Sequence, residues 1–482
     1  MLNGNQLVSI GYSYVKNRLQ PSSPYGEELI RKQRIYTPKE YVLLMEEYSR
    51  LGVMAELYRA RKAQFEKVER ALMYFKDVRR SIERTERYVL TDVELFEIKR
   101  FLISLDRLVP AYNELISGSE LIGIDIRTFP KALDIVDPDG MRTQTFRVSD
   151  CCSEELRKIR SERKKLELSL RNAEKAEKES LNIAVTALAA REEHEEARIR
   201  SEMSKALSEY ANELLLCIKH IGMLDHAMAK AKLCAESGGI IPGIKRNSDT
   251  ISVSGMVNPM LDNRLNEKGR SFVPVSMELK PGSTVITGAN MGGKSVTIKT
   301  LALSCMLALT GMPVFCERME LPLLSDIDLI KEDKEDTESG LSSFGGEMVR
   351  FNEVITKNTE GQRLILIDEF ARGTNPDEGA ALVRAAVRFF NASKDTFALL
   401  TTHFDDVACL AGAHYQVLGL KNADRKTLEE AMAHCENRMH VLEKFMDYGV
   451  YPVNSDEEPP KDALTICRAL NVDESFMRLV GD

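Results

Sequence analysis

The stretch from Thr284 to Thr300, TVITGANMGGKSVTIKT, decides how the rest of this chain is read. Gly288, Gly293, Lys294 and Ser295 fit G-x-x-x-x-G-K-[ST]. A β-prone run, Thr284-Val285-Ile286-Thr287, stands before the pattern, and a helix-compatible run from Lys294 to Leu309 follows it. In that strand, loop, helix order, glycines let backbone N–H groups converge on phosphate oxygens at the positive end of a helix. Lys294 adds a point charge, and Ser295 adds a hydroxyl suited to Mg2+, which prefers hard oxygen ligands. The stretch predicts a nucleotide phosphate site formed by Gly288, Ala289, Asn290, Met291, Gly292, Gly293, Lys294, Ser295 and Val296.

Working outward, Leu364-Ile365-Leu366-Ile367 is a buried-type strand that delivers Asp368 and Glu369. Asp368 is placed by type to hold the Mg2+ shell, and Glu369 to polarise an attacking water. The run Phe397 to Thr402 brings His403 to the carboxyl end of another strand, where open α/β sheets bind ligands, so His403 is expected at the terminal phosphate or the water. The other six histidines carry no such expectation. The segment from Glu338 to Met348 has small and hydroxyl residues ahead of a helix, an arrangement suited to an anion. Gly373 to Gly379 reads as a turn before another helix.

From Thr250 onward, strand-like and helical segments alternate, which predicts an α/β layer architecture with a mixed sheet flanked by helices. Before it the chain is helical in pattern. Tyr41 to Gly52, Met54 to Arg87 and Thr91 to Leu108 space apolar residues by three and four, with Pro38, Pro110 and Pro130 as punctuation. Thr91 and Glu94 suit a capping box. Ser153 opens a proline-free tract to Glu236, rich in Glu, Lys, Arg, Ala and Leu, which predicts an all-α core with a long helical arm; Gly222 is a weak break within it. Acidic and basic residues interleave along this tract, the pattern of a solvated helix face. Gly238 to Gly243 marks a junction. After Asn422, helices are expected at Leu428 to Tyr448 and Asp462 to Val480.

With 482 residues, 43% hydrophobic and 29% charged, the chain can build several cores and belongs to neither the disordered nor the membrane class. It holds no apolar run of spanning length, and its start lacks the pattern of a secretion leader, so a cytoplasmic protein without membrane contact is expected. Nine cysteines without a C-x-x-C pair fit reduced thiols, and Cys151 and Cys152 read as small hydrophobes. A net charge of -8 gives no general attraction to nucleic acid.

Taken together, Thr287 to Ser295, Ser342-Ser343-Phe344-Gly345-Gly346-Glu347-Met348, Asp368 to Thr374 and Thr401-Thr402-His403 resemble the MutS family of ATPases, in order and in spacing. The resemblance extends through Phe272-Val273-Pro274, where the family phenylalanine approaches adenine. More weakly, it extends to Leu224-Asp225 and to Ser153 through Arg160, which look like core and lever helices. These, with Gly379-Ala380-Ala381-Leu382, point to the branch without a mismatch-reading domain. The resemblance implies ATP and Mg2+ as cofactors. It also implies an ABC-type composite site in which Ser342, Ser343 and Gly345 of one protomer complete the γ-phosphate shell of the other, in a homodimer or a heterodimer with a related subunit. It divides the chain into a helical core (1–130), a core and lever with the arm (131–240), an ATPase domain (241–424) and a helical dimerisation region (425–482).

Departures from the family narrow the role. The Phe-Xaa-Glu triplets, at 315–317 and 351–353, lie inside the ATPase region, the arm is too short for long levers plus a DNA clamp, and no nuclease-like tail is expected after Asp482. The reduced form is similar to ATPases associated with adenosylcobalamin-dependent lysine and ornithine aminomutases, which implies a protein client. The alternative is a DNA-binding member acting on branched or mismatched DNA; a third reading is an ATP-binding protein without turnover.

Overall fold

The computed structural model describes residues 2–143, 147–174, 177–246, 248–288, 293–331, 343–433 and 438–453, with short pieces at 466–467, 472–473 and 476–477. The chain divides into two compact units. One holds residues 1–19, 34–48 and 233–482, and the other holds 20–33 and 49–232. Segments 1–19 and 34–48, read from sequence as part of a helical core, thus group with the α/β region.

The strands of the first unit are β1 (Gly243–Lys245), β2 (Ile251–Met256), β3 (Val275–Leu279), β4 (Gly282–Gly288), β5 (Arg318–Pro322), β6 (Asp326–Lys331), β7 (Arg363–Asp368), β8 (Thr396–Thr401), β9 (Ala413–Gly419) and β10 (Asp447–Pro452). They form a four-stranded sheet in the order β1-β5-β2-β3 and a six-stranded sheet in the order β10-β9-β4-β8-β7-β6. In the larger sheet β9, β4, β8, β7 and β6 run parallel and only β10 is antiparallel, so the sheet is mixed as expected. Every residue of β4 and of β8 is buried, so neither shows the alternation of a half-buried strand. The register pairs Ile286 with Thr401, Ile367 with Leu400 and Lys331 with Asp368, so the carboxyl ends of β4, β8, β7 and β6 lie side by side.

Helices cover the sheet because their apolar faces have no other place to go. The helix Pro376–Asn391 turns Val383, Val387 and Phe390 onto Ile365, Ile367 and Leu400. Each such buried side chain contributes about 1.5–3 kcal/mol. The helix Lys294–Leu309 is buried nearly all round.

In the second unit, Thr91 caps the helix Asp92–Ile116 as its sequence suggests: its hydroxyl accepts the Glu94 N–H at 3.4 Å, and the Glu94 carboxylate accepts the Thr91 N–H at 2.8 Å. This helix runs past Leu108 with Pro110 inside it, since Ala111, Tyr112 and Leu115 are buried and their packing outweighs one missing backbone hydrogen bond. The long tract after Ser153 is three helices, Glu154–Asn172, Lys178–Ser208 and Ala211–Glu236. The first two pair along their length, and the chain folds back between Asn172 and Lys178. Gly222 is not a break. A Cβ there would stand 3.1 Å from the Tyr25 carbonyl oxygen, so glycine serves close packing within the helix.

The C-terminal expectation needs a second correction. The helix predicted to reach Tyr448 is two helices, Arg425–Ala433 and Arg438–Phe445, and the chain then enters β10, which pairs with β9. Tyr448, Val450 and Tyr451 favour a strand once β9 offers an open edge. Most of the helix predicted at 462–480 lies outside the described residues. Cys151 is exposed and Cys152 half-buried, and both are free thiols. Among the described residues no helix is long and apolar enough to cross a membrane.

Candidate functional site

Gly288 ends β4 with φ 128°, and a Cβ there would lie 2.4 Å from the Val417 carbonyl oxygen on β9. No other residue fits. Ala289, Asn290, Met291 and Gly292, predicted to line the phosphate, lie outside the described residues. The chain resumes at Gly293, φ 96°, the N-cap of the helix Lys294–Leu309. Lys294 is only 4% exposed, and its ammonium donates to the Gly288 carbonyl at 2.7 Å. Burial lowers its pKa, and the carboxylates of Glu369 and Asp368 oppose that shift. A buried cation thus stands at a helix N-terminus, where phosphate oxygens are favoured.

The neighbouring strand ends supply oxygen. The Ser295 hydroxyl donates to Asp368 Oδ1 at 2.9 Å, and the Thr401 hydroxyl donates to the same atom at 3.0 Å. Thr401 also accepts the Glu369 N–H at 2.9 Å, so one buried hydroxyl at the end of β8 holds both acidic residues at the end of β7. Ser295 and Asp368 form a pair of adjacent hard oxygen donors, the set Mg2+ selects, and so the residues fit that ion.

Glu369 has φ 54° and Ala371 φ 58°, both in the left-handed region that side chains avoid. Each costs of order 1–3 kcal/mol and persists only where its surroundings fix it. The Glu369 carboxylate bonds Arg372 at 2.7 Å. His403 sits exposed just beyond β8, its ring 4.3 Å from that of Phe404.

Beside the first turn of the helix Lys294–Leu309 lies a cavity of about 390 Å3, walled by Phe272, Val273, Gly293, Val296, Met446 and Tyr448. Phe272 is held there by its N–H, which donates to Asp262 at 3.2 Å. The predicted Gly293, Val296 and Phe272 thus share one mainly apolar cavity next to Lys294, of the kind that takes a planar ring. Of the remaining predicted residues, Ser342 lies outside the described chain, while Ser343 and Gly345 begin the helix Ser343–Thr356. The structure brings together Gly288, Gly293, Lys294, Ser295, Asp368 and Glu369.

Sequence reading assigned no role to Thr401, Arg372, Glu347 or Tyr448. Thr401 stands within Thr-Thr-His, and only the placement of β8 beside β7 reveals its two hydrogen bonds. Tyr448 reaches the cavity because β10 returns to the sheet, which the helical reading of that segment hid.

The chain contains an α/β unit whose candidate site lies at the carboxyl ends of parallel strands, with a buried lysine, a serine and aspartate pair and an apolar cavity in a row. Residues 284–461 match MutS domain V. The chain is similar to "Endonuclease MutS2" of Thermotoga neapolitana, 33% identical over 225 residues, 45% of this chain and 28% of the relative. It is also similar to the proteins of that name from Ligilactobacillus salivarius, 32% identical over 218 residues, and from Streptococcus sanguinis, 28% identical over 229. These cover 45% and 47% of this chain, and the matches span about 28% of the length of the relatives.

Proposed function

We propose that the chain is a MutS-type ATPase that binds ATP with Mg2+ across a dimer and uses hydrolysis to switch between closed and open states. The observation that carries this reading is the Lys294, Ser295, Asp368 and Thr401 array beside the Phe272 cavity. The adenine of ATP would enter that cavity and stack on Phe272, while the triphosphate extends over the N-terminus of the helix Lys294–Leu309 toward the Lys294 ammonium. Ser295 and Asp368 would hold Mg2+, which when bound supplies charge neutralisation on the phosphate oxygens. Glu369 takes the proton of the water that attacks the γ-phosphorus, and the bond to the ADP oxygen breaks as the new P–O bond forms. His403 contacts the γ-phosphate or that water. The Ser342 to Met348 segment of a second protomer, of the same or a related chain, closes the shell. ATP contacts the closed dimer more extensively than the open one, and so shifts the population toward closure.

For the client, we favour a protein, with an adenosylcobalamin-dependent aminomutase the one implied by the reduced MutS form. The arm supports this. Arg160 bonds Asp150, Glu192 and Glu196, Arg163 bonds Glu192, and Arg198 bonds Glu195 and Glu202, so these cations are already neutralised within the arm. Phosphate binding to DNA would have to displace them. The second reading, branched or mismatched DNA, is favoured by the name endonuclease carried by the relatives.

Two measurements separate the readings. Glu369→Gln loaded with ATP should retain the client in a pull-down, and the partner so trapped should elute when ATP is removed. A labelled four-way junction should bind weakly at physiological salt; tight binding that falls steeply as salt rises would replace the protein client with DNA.

A further inference from the structure

The turn that carries Glu369 is held from an unexpected side. Glu369 and Ala371 are left-handed, and Arg142 is the sole other non-glycine with positive φ among the described residues. Such a turn needs its neighbours to fix it. Thr401 accepts the Glu369 N–H at 2.9 Å. Gly379 leaves room for the Ala371 carbonyl, which a Cβ would approach to 2.8 Å. The other two contacts come from the helix Ser343–Thr356. Glu347 Oε2 accepts the Ala371 N–H at 3.0 Å, and the Phe351 ring lies 4.7 Å from that of Phe370. Glu347 and Phe351 are four residues apart, on one face of the helix.

We propose that Glu347 is a positioning residue for Glu369: by holding the Ala371 N–H it fixes the left-handed turn, and the helix Ser343–Thr356 thereby sets where the Glu369 carboxylate stands. The inference rests on the reading of Glu369 as general base. It goes further by assigning the support of that base to a helix apart from the strand ends, through the Glu347 to Ala371 hydrogen bond and the Phe351 to Phe370 ring contact.

The test compares Glu347→Met, which keeps length and packing but has no acceptor oxygen, with Glu347→Gln, which keeps an acceptor. In the full-length dimer with Mg2+ and ATP, Glu347→Met should lower kcat by at least about 10-fold, as a displaced base would. Its KM and its equilibrium binding of a fluorescent non-hydrolysable ATP analogue should stay at parent values. Glu347→Gln should restore kcat to within about 3-fold of the parent. When Glu347→Met is added to Glu369→Gln, the residual rate should hardly change, because the group being positioned is already gone. Glu347→Met with parent kcat overturns the proposal, and so does an equal loss in the Gln variant, a full further loss on top of Glu369→Gln, or a Met variant that fails to fold. If Glu369→Gln itself turns over like the parent, the general-base reading has failed instead.

Discussion

Lys294 keeps its ammonium in a place where burial works against it, because Gly288 offers a carbonyl at 2.7 Å and two carboxylates stand near. Removing it leaves the triphosphate without a charge-assisted donor worth about 1.5–3 kcal/mol. Lys294→Ala should therefore weaken ATP binding by roughly 10- to 100-fold in calorimetry, with the fold retained. Asp225 makes a second prediction at this scale. It is 2% exposed and accepts N–H bonds from Ser22 and Ser23 at 2.9 and 2.7 Å and the Ser23 hydroxyl at 2.6 Å. Burial nevertheless outweighs these bonds and pushes its pKa up to about 6. The folded state thus binds this proton more tightly than the unfolded state, so the group's contribution is full below about pH 4 and is lost as pH rises through about 6. Comparing thermal unfolding of the parent and Asp225→Asn, the difference in Tm should change between pH 4 and 6 and stay flat above pH 7. These residues differ in legibility. Lys294, Ser295, Asp368 and Glu369 stand out in the sequence because phosphate chemistry needs those types at those spacings, and the fold brings them together. The positions of Thr401 and Glu347 depend on strand register and helix packing, which no spacing in the chain encodes.

At the scale of elements, β4, β7 and β8 were readable as β-prone runs, and their observed bounds agree within a residue or two, whereas β6 and β9 were not singled out. The arm reads from sequence as long or paired helices, but the place where it folds back does not. The return between Asn172 and Lys178 contains no glycine or proline, and the pairing that fixes it is made by side chains far apart in sequence. Arg160 is central to that pairing. Its side chain is 9% exposed and bonds Glu192 at 2.9 Å, with Glu192 itself 7% exposed. Truncating one partner leaves a nearly buried carboxylate short of a cation, at a cost of about 3–5 kcal/mol. Arg163 shares Glu192 and offsets part of this. We expect Arg160→Ala to destabilise the helical unit by about 2–4 kcal/mol in urea unfolding, whereas Arg191→Ala, at an exposed pair with Glu155, should cost no more than about 0.5 kcal/mol. The helix predicted to end at Tyr448 misled for a different reason: periodicity in a short amphipathic segment cannot report that a sheet edge lies waiting for it.

For the whole molecule, the sequence motifs announced an α/β domain with a helical partner, and the structure has both. What the motifs did not announce is that residues 1–19 and 34–48 belong with the α/β unit; Tyr48, for example, donates its hydroxyl to the Ala308 carbonyl at 2.7 Å, a pairing over 260 residues of chain. The account's central claim concerns the molecule's work: a triphosphate lies over Lys294 and is cleaved with Glu369 as base. Steady-state phosphate release from Mg2+-ATP by the full-length protein, with Glu369→Gln in parallel, tests this most directly. Turnover by the parent and a fall of about 100-fold or more in the variant, whose ATP binding stays intact, is the predicted result. No release by the parent, or equal rates in the two proteins, would contradict it.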